Sequence, residues 1–129
     1  MAKLLREKKV EPDLMISSPT VRAMTTARIF AKELKYGVSN IVINDLLYHG
    51  DLRSILGIIQ NLDDPHETVV LIGHNPEITS LGNLLTSRAI ENIPTCGVLC
   101  VDFKASTWRL IGQNNGKIRF FEKPKKYFK

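Results

Sequence analysis

A buried strand that leads directly into a capped helix is the feature that most restricts how this 129-residue chain can fold. The run Asp13–Ser17 predicts a short buried strand, Ser18 is a candidate N-cap, and Pro19 suits the first position of a helix. Apolar residues at near-helical spacing extend that helix over residues 19–35, and Gly37 ends it. A strand that passes into a helix in this way is typical of α/β domains.

Strands and helices alternate along the rest of the chain. Residues 68–73 form a continuous apolar run, which is typical of a strand covered on both faces. Residues 97–103 and 107–111 predict a hairpin, and residues 117–121 predict an edge strand. We therefore expect one domain over residues 1–129, a three-layer α/β/α fold with a mainly parallel sheet and a C-terminal antiparallel hairpin. The other predicted elements are a strand over residues 40–44 and helices over residues 3–9, 51–62 and 76–87.

Composition favours a cytoplasmic protein. No apolar run reaches the roughly 18 residues that a membrane span needs, and residues 1–9 contain no apolar signal-peptide core. The two cysteines, Cys96 and Cys100, lack zinc-ligand spacing, so we interpret them as free thiols in a reducing compartment.

The net charge of +5 lies in the C-terminal segment, where residues 117–129 hold six basic residues against Glu122. Aromatic residues are interleaved with the lysines, so this segment could contact nucleic acid or an acidic protein. We favour a final strand and tail with solvated lysines, because short basic runs are common on protein surfaces.

The Ser17-Ser18-Pro19 turn and Arg22 together predict an anion site. A helix N-terminus offers unpaired backbone N–H groups and the positive end of a dipole. Arg22, in the first turn, adds a planar charged fork that suits phosphate oxygens. We therefore include Ser18 and Arg22 among the candidate phosphate-binding residues.

His74 is the second candidate, directly after the apolar run of residues 68–73. Gly73 permits close backbone approach, and Asn75 could cap the next helix or hold the histidine. A histidine can donate to a phosphoryl oxygen and stabilise its charge in a transition state. Because ligands bind at the carboxyl ends of strands in α/β sheets, we expect His74 and Asn75 to share one rim with Arg22 and the 45–50 loop.

Other candidate ligands carry less weight. His49 is interpreted as a solvent-facing loop residue and His66 as inert. The spacing of Asp63, Asp64 and His66 matches no known metal site, and the glycines form neither a P-loop nor a dinucleotide fingerprint. We therefore expect no metal and no cofactor.

At this point the chain resembles the histidine phosphatase (phosphoglycerate mutase-like) superfamily, and in particular its SixA-type phosphohistidine phosphatases. Residues 18–27 resemble the Ser-Pro-x-x-Arg-Ala-x-x-Thr-Ala block of that branch, and residues 70–76 resemble its Val-Gly-His-Asn-Pro block. Leu47-Tyr48 is similar to a Leu-Tyr loop, and residues 93–108 are similar to the C-terminal hairpin. The two longer blocks stand in the right order and spacing, which makes the resemblance strong.

The resemblance implies that Arg22 binds a phosphoryl group and that His74 is the second histidine of the pocket. It also implies a nucleophilic histidine on a first strand ending in Arg-His-Gly or Arg-His-Ala, and these 129 residues contain no such motif. Tyr48-His49-Gly50 is no substitute, since it follows a different strand and lacks the arginine. We expect that the first strand is missing because upstream sequence is absent, or that dimerisation fills the gap.

By this resemblance the complete protein is a metal-independent hydrolase that forms a covalent phosphohistidine, and the chain as given is inactive or impaired. The short 45–50 connection leaves an open site that suits a phosphorylated protein. Asp45 and Glu77 are weak candidates for a general acid. The alternative is a non-catalytic module that binds phosphate or a phosphoprotein, and a nucleic-acid module is a distant third.

Overall fold

A computed structural model describes residues 1–94 and 97–123. The chain divides into two compact units. The parallel-sheet unit comprises Ala2–Gly50 and Pro65–His74, and the hairpin unit comprises Met1, Asp51–Asp64 and Asn75–Lys129. The single domain over residues 1–129 stays a prediction. The described residues do not include Thr95, Cys96 or residues 124–129. The predictions of a free Cys96 thiol and of a C-terminal tail with solvated lysines therefore lie outside them.

Three parallel strands form the centre of the parallel-sheet unit, in the order β2-β1-β3. In register, Ser17 of the central strand lies opposite Ile43 on one side and Ile72 on the other. The elements of this unit are α1 (Ala2–Glu7), β1 (Leu14–Ser17), α2 (Val21–Glu33), β2 (Val42–Ile43), α3 (Leu46–His49) and β3 (Val69–Ile72). The short α3 lies where we expected only a connection.

The core of this unit lies between β1 and α2. Met15 and Ile16 of β1 are buried, and α2 buries one stripe that repeats at helical spacing. Three alanines in that stripe permit close approach of the helix to its neighbours. The stripe consists of Ala23, Ala27, Phe30 and Ala31.

The boundaries of α2 differ from the prediction at both ends. Thr20, not Ser18, is the N-cap, and its hydroxyl accepts a hydrogen bond from the backbone N–H of Ala23. Threonine caps helices nearly as well as serine, so local preference alone does not separate Thr20 from Ser18. At the C-terminal end Lys35, with φ of 59°, takes the left-handed turn that we had assigned to Gly37.

β3 is an outer strand of this sheet, and all four of its residues are half-buried rather than covered. The carbonyls of Thr68 and Ile72 accept hydrogen bonds from β1 and its flanks. Because backbone direction alternates along a strand, Val69 and Leu71 point their N–H and C=O groups away from β1. Within residues 1–94 and 97–123 no backbone group pairs with that edge. The missing neighbouring strand stays a prediction.

The hairpin unit is built on an antiparallel pair with two helices. It contains α4 (Leu52–Gln60), α5 (Glu77–Thr86), β4 (Val98–Phe103) and β5 (Gly116–Glu122). Its buried apolar residues come from both helices and the loops, and are Ile55, Ile59, Leu81, Leu85, Ile93 and Ile111. The predicted α/β class with a parallel sheet and a C-terminal antiparallel hairpin is confirmed.

The second strand of the hairpin was predicted wrongly. Residues 107–111 do not pair with β4; they form a 3-10 turn over Trp108–Leu110, and β5 is the partner strand. The carboxylate of Asp64 accepts hydrogen bonds from the Thr107 hydroxyl and the Trp108 N–H. This tertiary contact fixes the turn, and it outweighs the local strand preference of the segment.

Among the described residues no helix is long and apolar enough to cross a membrane. Cys100 of β4 is a free thiol. Its burial, and then the nearby charge of Asp102, raise the pKa of the thiol above its usual value.

Candidate functional site

The three strands of the parallel-sheet unit end at one rim. Ser18 follows β1, Asn44 follows β2, and His74 lies two residues beyond β3. The N–H of Ser18 donates to the carbonyl of Ile72, and the N–H of Asn44 donates to that of Ser17, so the three ends are held side by side. As predicted, the polar residues after these strands share the carboxyl edge of a parallel sheet.

His74 is held on its Nε2 side by two hydroxyl groups. Nε2 lies 2.8 Å from Oγ of Ser18 and 3.4 Å from Oγ1 of Thr20. The Ser18 hydroxyl also accepts a weak hydrogen bond from the Thr20 N–H at 3.4 Å. A hydroxyl can donate to a neutral Nε2 or accept from a protonated one, so this contact serves His74 in either state. Within the described part of the chain, Nδ1 of His74 has no hydrogen-bond partner.

Tyr48 covers one flank of His74. The two ring centroids are 5.7 Å apart at an interplanar angle of 76°, an edge-to-face contact. Tyr48 also contacts His49 edge-on, with 6.2 Å between the centroids. His49 therefore stands on the same rim, exposed to solvent as predicted. The short helix α3 positions both side chains beside the strand ends.

The N-terminus of α2 supplies the cationic part of the site. Thr20 caps the helix and contacts His74, and Arg22 lies two residues further on, in the first turn. The N–H groups of Val21 and Arg22 precede the first intrahelical hydrogen bond, in which Met24 donates to Thr20. Arg22 is exposed and makes no hydrogen bond or ion pair with any described residue. The helix N-terminus therefore lies next to a histidine through Thr20, and anion binding by Arg22 stays a prediction.

Ser18 was predicted to bind phosphate, and the structure places it beneath His74. Its side chain is fully buried, and its hydroxyl faces Nε2 of the histidine. This position lets Ser18 orient the ring. Direct contact between Ser18 and a phosphate stays a prediction.

Asn75 follows His74 in the chain but belongs to the hairpin unit. Its amide nitrogen donates to the Ile93 carbonyl at 2.7 Å and to the Asn92 side chain at 3.0 Å, and its oxygen accepts from the Thr79 hydroxyl at 2.6 Å. Asn75 was expected to cap the next helix or to hold His74; α5 starts after Pro76 without a side-chain cap, and the Asn75 hydrogen bonds given above do not go to His74. Both amide hydrogens are engaged, so a phosphate contact by Asn75 would have to break one of these bonds.

The candidate acids take no part in these contacts. Asp45 is exposed at the start of α3, where its side chain makes no capping hydrogen bond. Glu77 is the first residue of α5 in the hairpin unit. Neither residue hydrogen-bonds to His74.

Thr20 and Tyr48 are the residues that sequence reasoning did not include in the site. Thr20 could have been found from its preference for N-cap positions, three residues before Ala23. Tyr48 carried no local signal beyond its place in the Leu47-Tyr48 pair, since the contact with His74 spans two separate strand ends.

No protein-family model and no curated protein matches the chain. The fold is similar to that of solved structures assigned to phosphohistidine phosphatase SixA. A SixA protein histidine phosphatase complexed with tungstate is 23% identical, with a TM-score of 0.81, over 97% of this chain and 77% of that one. The Agrobacterium tumefaciens SixA structure is 22% identical, with a TM-score of 0.78, over 95% and 75% of the two chains. The Nakamurella multipartitia SixA structure is 17% identical, with a TM-score of 0.78, over 95% and 77%.

These likenesses extend over almost the whole of this chain and about three quarters of each solved structure. Together with the parallel sheet and the antiparallel pair, they confirm the predicted phosphoglycerate mutase-like architecture. The chain has the α/β fold of the SixA phosphohistidine phosphatases.

Proposed function

We propose that this chain is a phosphohistidine phosphatase-like protein that binds a phosphoryl group between the N-terminus of α2 and His74. The observation that carries the proposal is the contact of His74 with Ser18 and Thr20, which holds an imidazole against a helix N-terminus whose first turn bears a free arginine. A dianionic phosphoryl group is the ligand that such donors recognise. The complex of a fold relative with tungstate, an oxyanion of phosphate-like geometry, supports the same chemistry.

In the complete reaction a histidine nitrogen attacks phosphorus in line with the leaving group. The bond from phosphorus to the leaving nitrogen or oxygen breaks, and the leaving group takes the electron pair and a proton. Water then attacks the phosphohistidine, the new P–N bond breaks, and inorganic phosphate departs. Arg22 and His74 stabilise the charge on the equatorial oxygens in both steps.

None of the hydrogen bonds or ring contacts of His74 within the described residues joins it to a second histidine that could attack phosphorus. The ring of His49 contacts Tyr48 rather than His74. His66 lies in the connection between α4 and β3. We infer that turnover needs a further histidine-bearing segment and that the 129 residues alone are inactive or impaired. The alternative function, a module that binds phosphate or a phosphoprotein without turnover, is favoured by the same free Arg22.

Two measurements on the chain separate these functions. Phosphate and tungstate binding is followed by calorimetry, and hydrolysis of p-nitrophenyl phosphate and of a histidine-phosphorylated protein is assayed in parallel. Arg22→Ala should weaken anion binding at least about tenfold, since a charge-assisted bidentate contact is lost. Arg28→Ala, at another exposed arginine of α2, is the control and should bind normally.

Anion binding that survives Arg22→Ala unchanged would contradict the site. Hydrolysis by the chain would reject the binding module. Binding without hydrolysis, in a longer chain that includes an Arg-His segment, would reject the enzyme.

A further inference from the structure

An exposed apolar surface adjoins the candidate site. Four large apolar side chains between residues 42 and 48 stand 39–58% exposed. Neighbouring side chains in a strand point to opposite faces, so the exposure of two successive residues shows that β2 is uncovered on both faces. Because Val42 lies on the opposite face from Ile43, we limit the β2–α3 surface to Ile43, Leu46 and Tyr48.

This surface is continuous with the site through Tyr48. The Tyr48 ring contacts His74, and Ile43 pairs in register with Ser17, the residue before Ser18. A molecule that presents a phosphoryl group to His74 therefore lies against Tyr48 as well. Single exposed apolar residues are ordinary, but several within a few positions of each other, next to a polar site, indicate an interaction surface.

The charge of residues 36–50 indicates which class of ligand the β2–α3 surface binds. Residues 36–50 contain no lysine or arginine and one carboxylate, Asp45. A nucleic-acid surface needs basic residues along the backbone path, and a small phosphate would need only Arg22 and His74. The surface suits a protein whose phosphorylated residue is flanked by apolar side chains.

We propose that the β2–α3 surface docks the apolar flank of a phosphorylated protein substrate and so sets the specificity of the site. The inference rests on the proposed function, because the phosphoryl group that positions the partner binds at Arg22 and His74. Docking at Ile43 and Leu46 lies outside the phosphate contacts, so specificity and anion binding are separable by mutation.

The test uses three probes on the full chain: inorganic phosphate and two peptides of equal length and charge that carry a stable phosphonate analogue of phosphohistidine. One peptide has Leu and Phe beside the analogue, and the other has Ser and Gly. The Leu/Phe peptide should bind about tenfold tighter, since about 50–60 Å² of additional buried apolar area gives this ratio. The variant Ile43→Thr combined with Leu46→Gln should remove most of that preference.

The matched control is Ile29→Thr, at an isoleucine on α2 that is 56% exposed where Ile43 is 54% exposed. It should keep the full preference, and phosphate should bind equally to all variants, which also shows that they are folded. Equal affinity for the two peptides, or equal loss of preference in the control, would overturn the docking inference alone. Failure of all three probes to bind would overturn the proposed function and the inference together.

Discussion

Removal of the Ser18 hydroxyl tests how His74 is positioned. Ser18 is fully buried, and its Oγ is the nearer of the two partners of His74 Nε2, at 2.8 Å against 3.4 Å for Thr20. In Ser18→Ala, the histidine keeps only the longer contact, and the Thr20 N–H loses its acceptor. We expect the ring to lose its fixed orientation and the free energy of unfolding to fall.

The size of that loss follows from the two hydrogen bonds. A buried hydrogen bond between neutral groups contributes about 0.5–1.5 kcal/mol net. The second bond, to the Thr20 N–H at 3.4 Å, is weak, and water can replace it because Thr20 is half-buried. We therefore expect Ser18→Ala to lower the free energy of unfolding by about 1–2 kcal/mol.

Ser17→Ala is the matched control. Ser17 is equally buried, but its hydroxyl donates only to the carbonyl of the next residue, so we expect a loss of about 0.5–1 kcal/mol and no effect on His74. Stability is measured by urea unfolding, and the His74 ring nitrogens by long-range proton–nitrogen NMR. The Nε2 resonance should shift in Ser18→Ala and stay in Ser17→Ala. An unmoved Nε2 in Ser18→Ala, or equal shifts in both variants, would refute this account of the site.

Three further predictions concern the hairpin unit. At the start of α4 the Asp51 carboxylate accepts a hydrogen bond from the Ser54 N–H, which lowers the pKa of Asp51 below its usual 3.8. The ionised carboxylate therefore stabilises the fold above pH 3.8, and this stabilisation is lost as the pH falls through the lowered pKa of the folded state. The urea midpoint should therefore fall less between pH 7 and pH 2.5 in Asp51→Asn than in the unmodified chain. An equal fall in the two proteins would contradict the capping role of Asp51. Gly57→Ala should stabilise by about 0.5–1 kcal/mol, since no atom beyond its chain neighbours and the adjacent helix backbone lies within 4 Å of the added Cβ. Gly116→Ala should destabilise by about 1–3 kcal/mol, because its Cβ would meet two side chains and a carbonyl. Equal thermal midpoints would disprove that contrast. Iodoacetamide should alkylate Cys100 more slowly in the folded chain at pH 8 than in urea, as followed by mass spectrometry of its peptide, because burial raises the thiol pKa; equal rates would count against it.

Local patterns in the sequence were sufficient for the strand ends of the parallel sheet. The apolar run before His74 and the one before Ser18 are strands, and both residues lie at the same rim. This success has a simple reason, since parallel strands joined by helices bring their carboxyl ends to one edge. Arg22 followed from the same logic, because a residue in the first turn of a helix stays near the preceding strand end.

Contacts between distant segments were not predictable in the same way. Residues 107–111 have strand-like side chains, but the carboxylate of Asp64, more than forty positions earlier, fixes them as a 3-10 turn. Asn75 was likewise expected to cap a helix or hold His74, and its amide instead binds Asn92 and Ile93. Each case depends on which long-range partner is within hydrogen-bond reach, which local propensity does not encode.

The sequence by itself determined the α/β class, the strand-to-helix turn with Arg22 and the position of His74 at a strand end. These follow from hydrophobic periodicity and helix-terminus chemistry, which act over a few residues. Only the tertiary structure decided that Ser18 is buried beneath His74, that Thr20 caps the helix and that Tyr48 packs against the histidine. All three contacts lie where the ends of separate strands are adjacent, and the register of the sheet sets the relative positions of those ends.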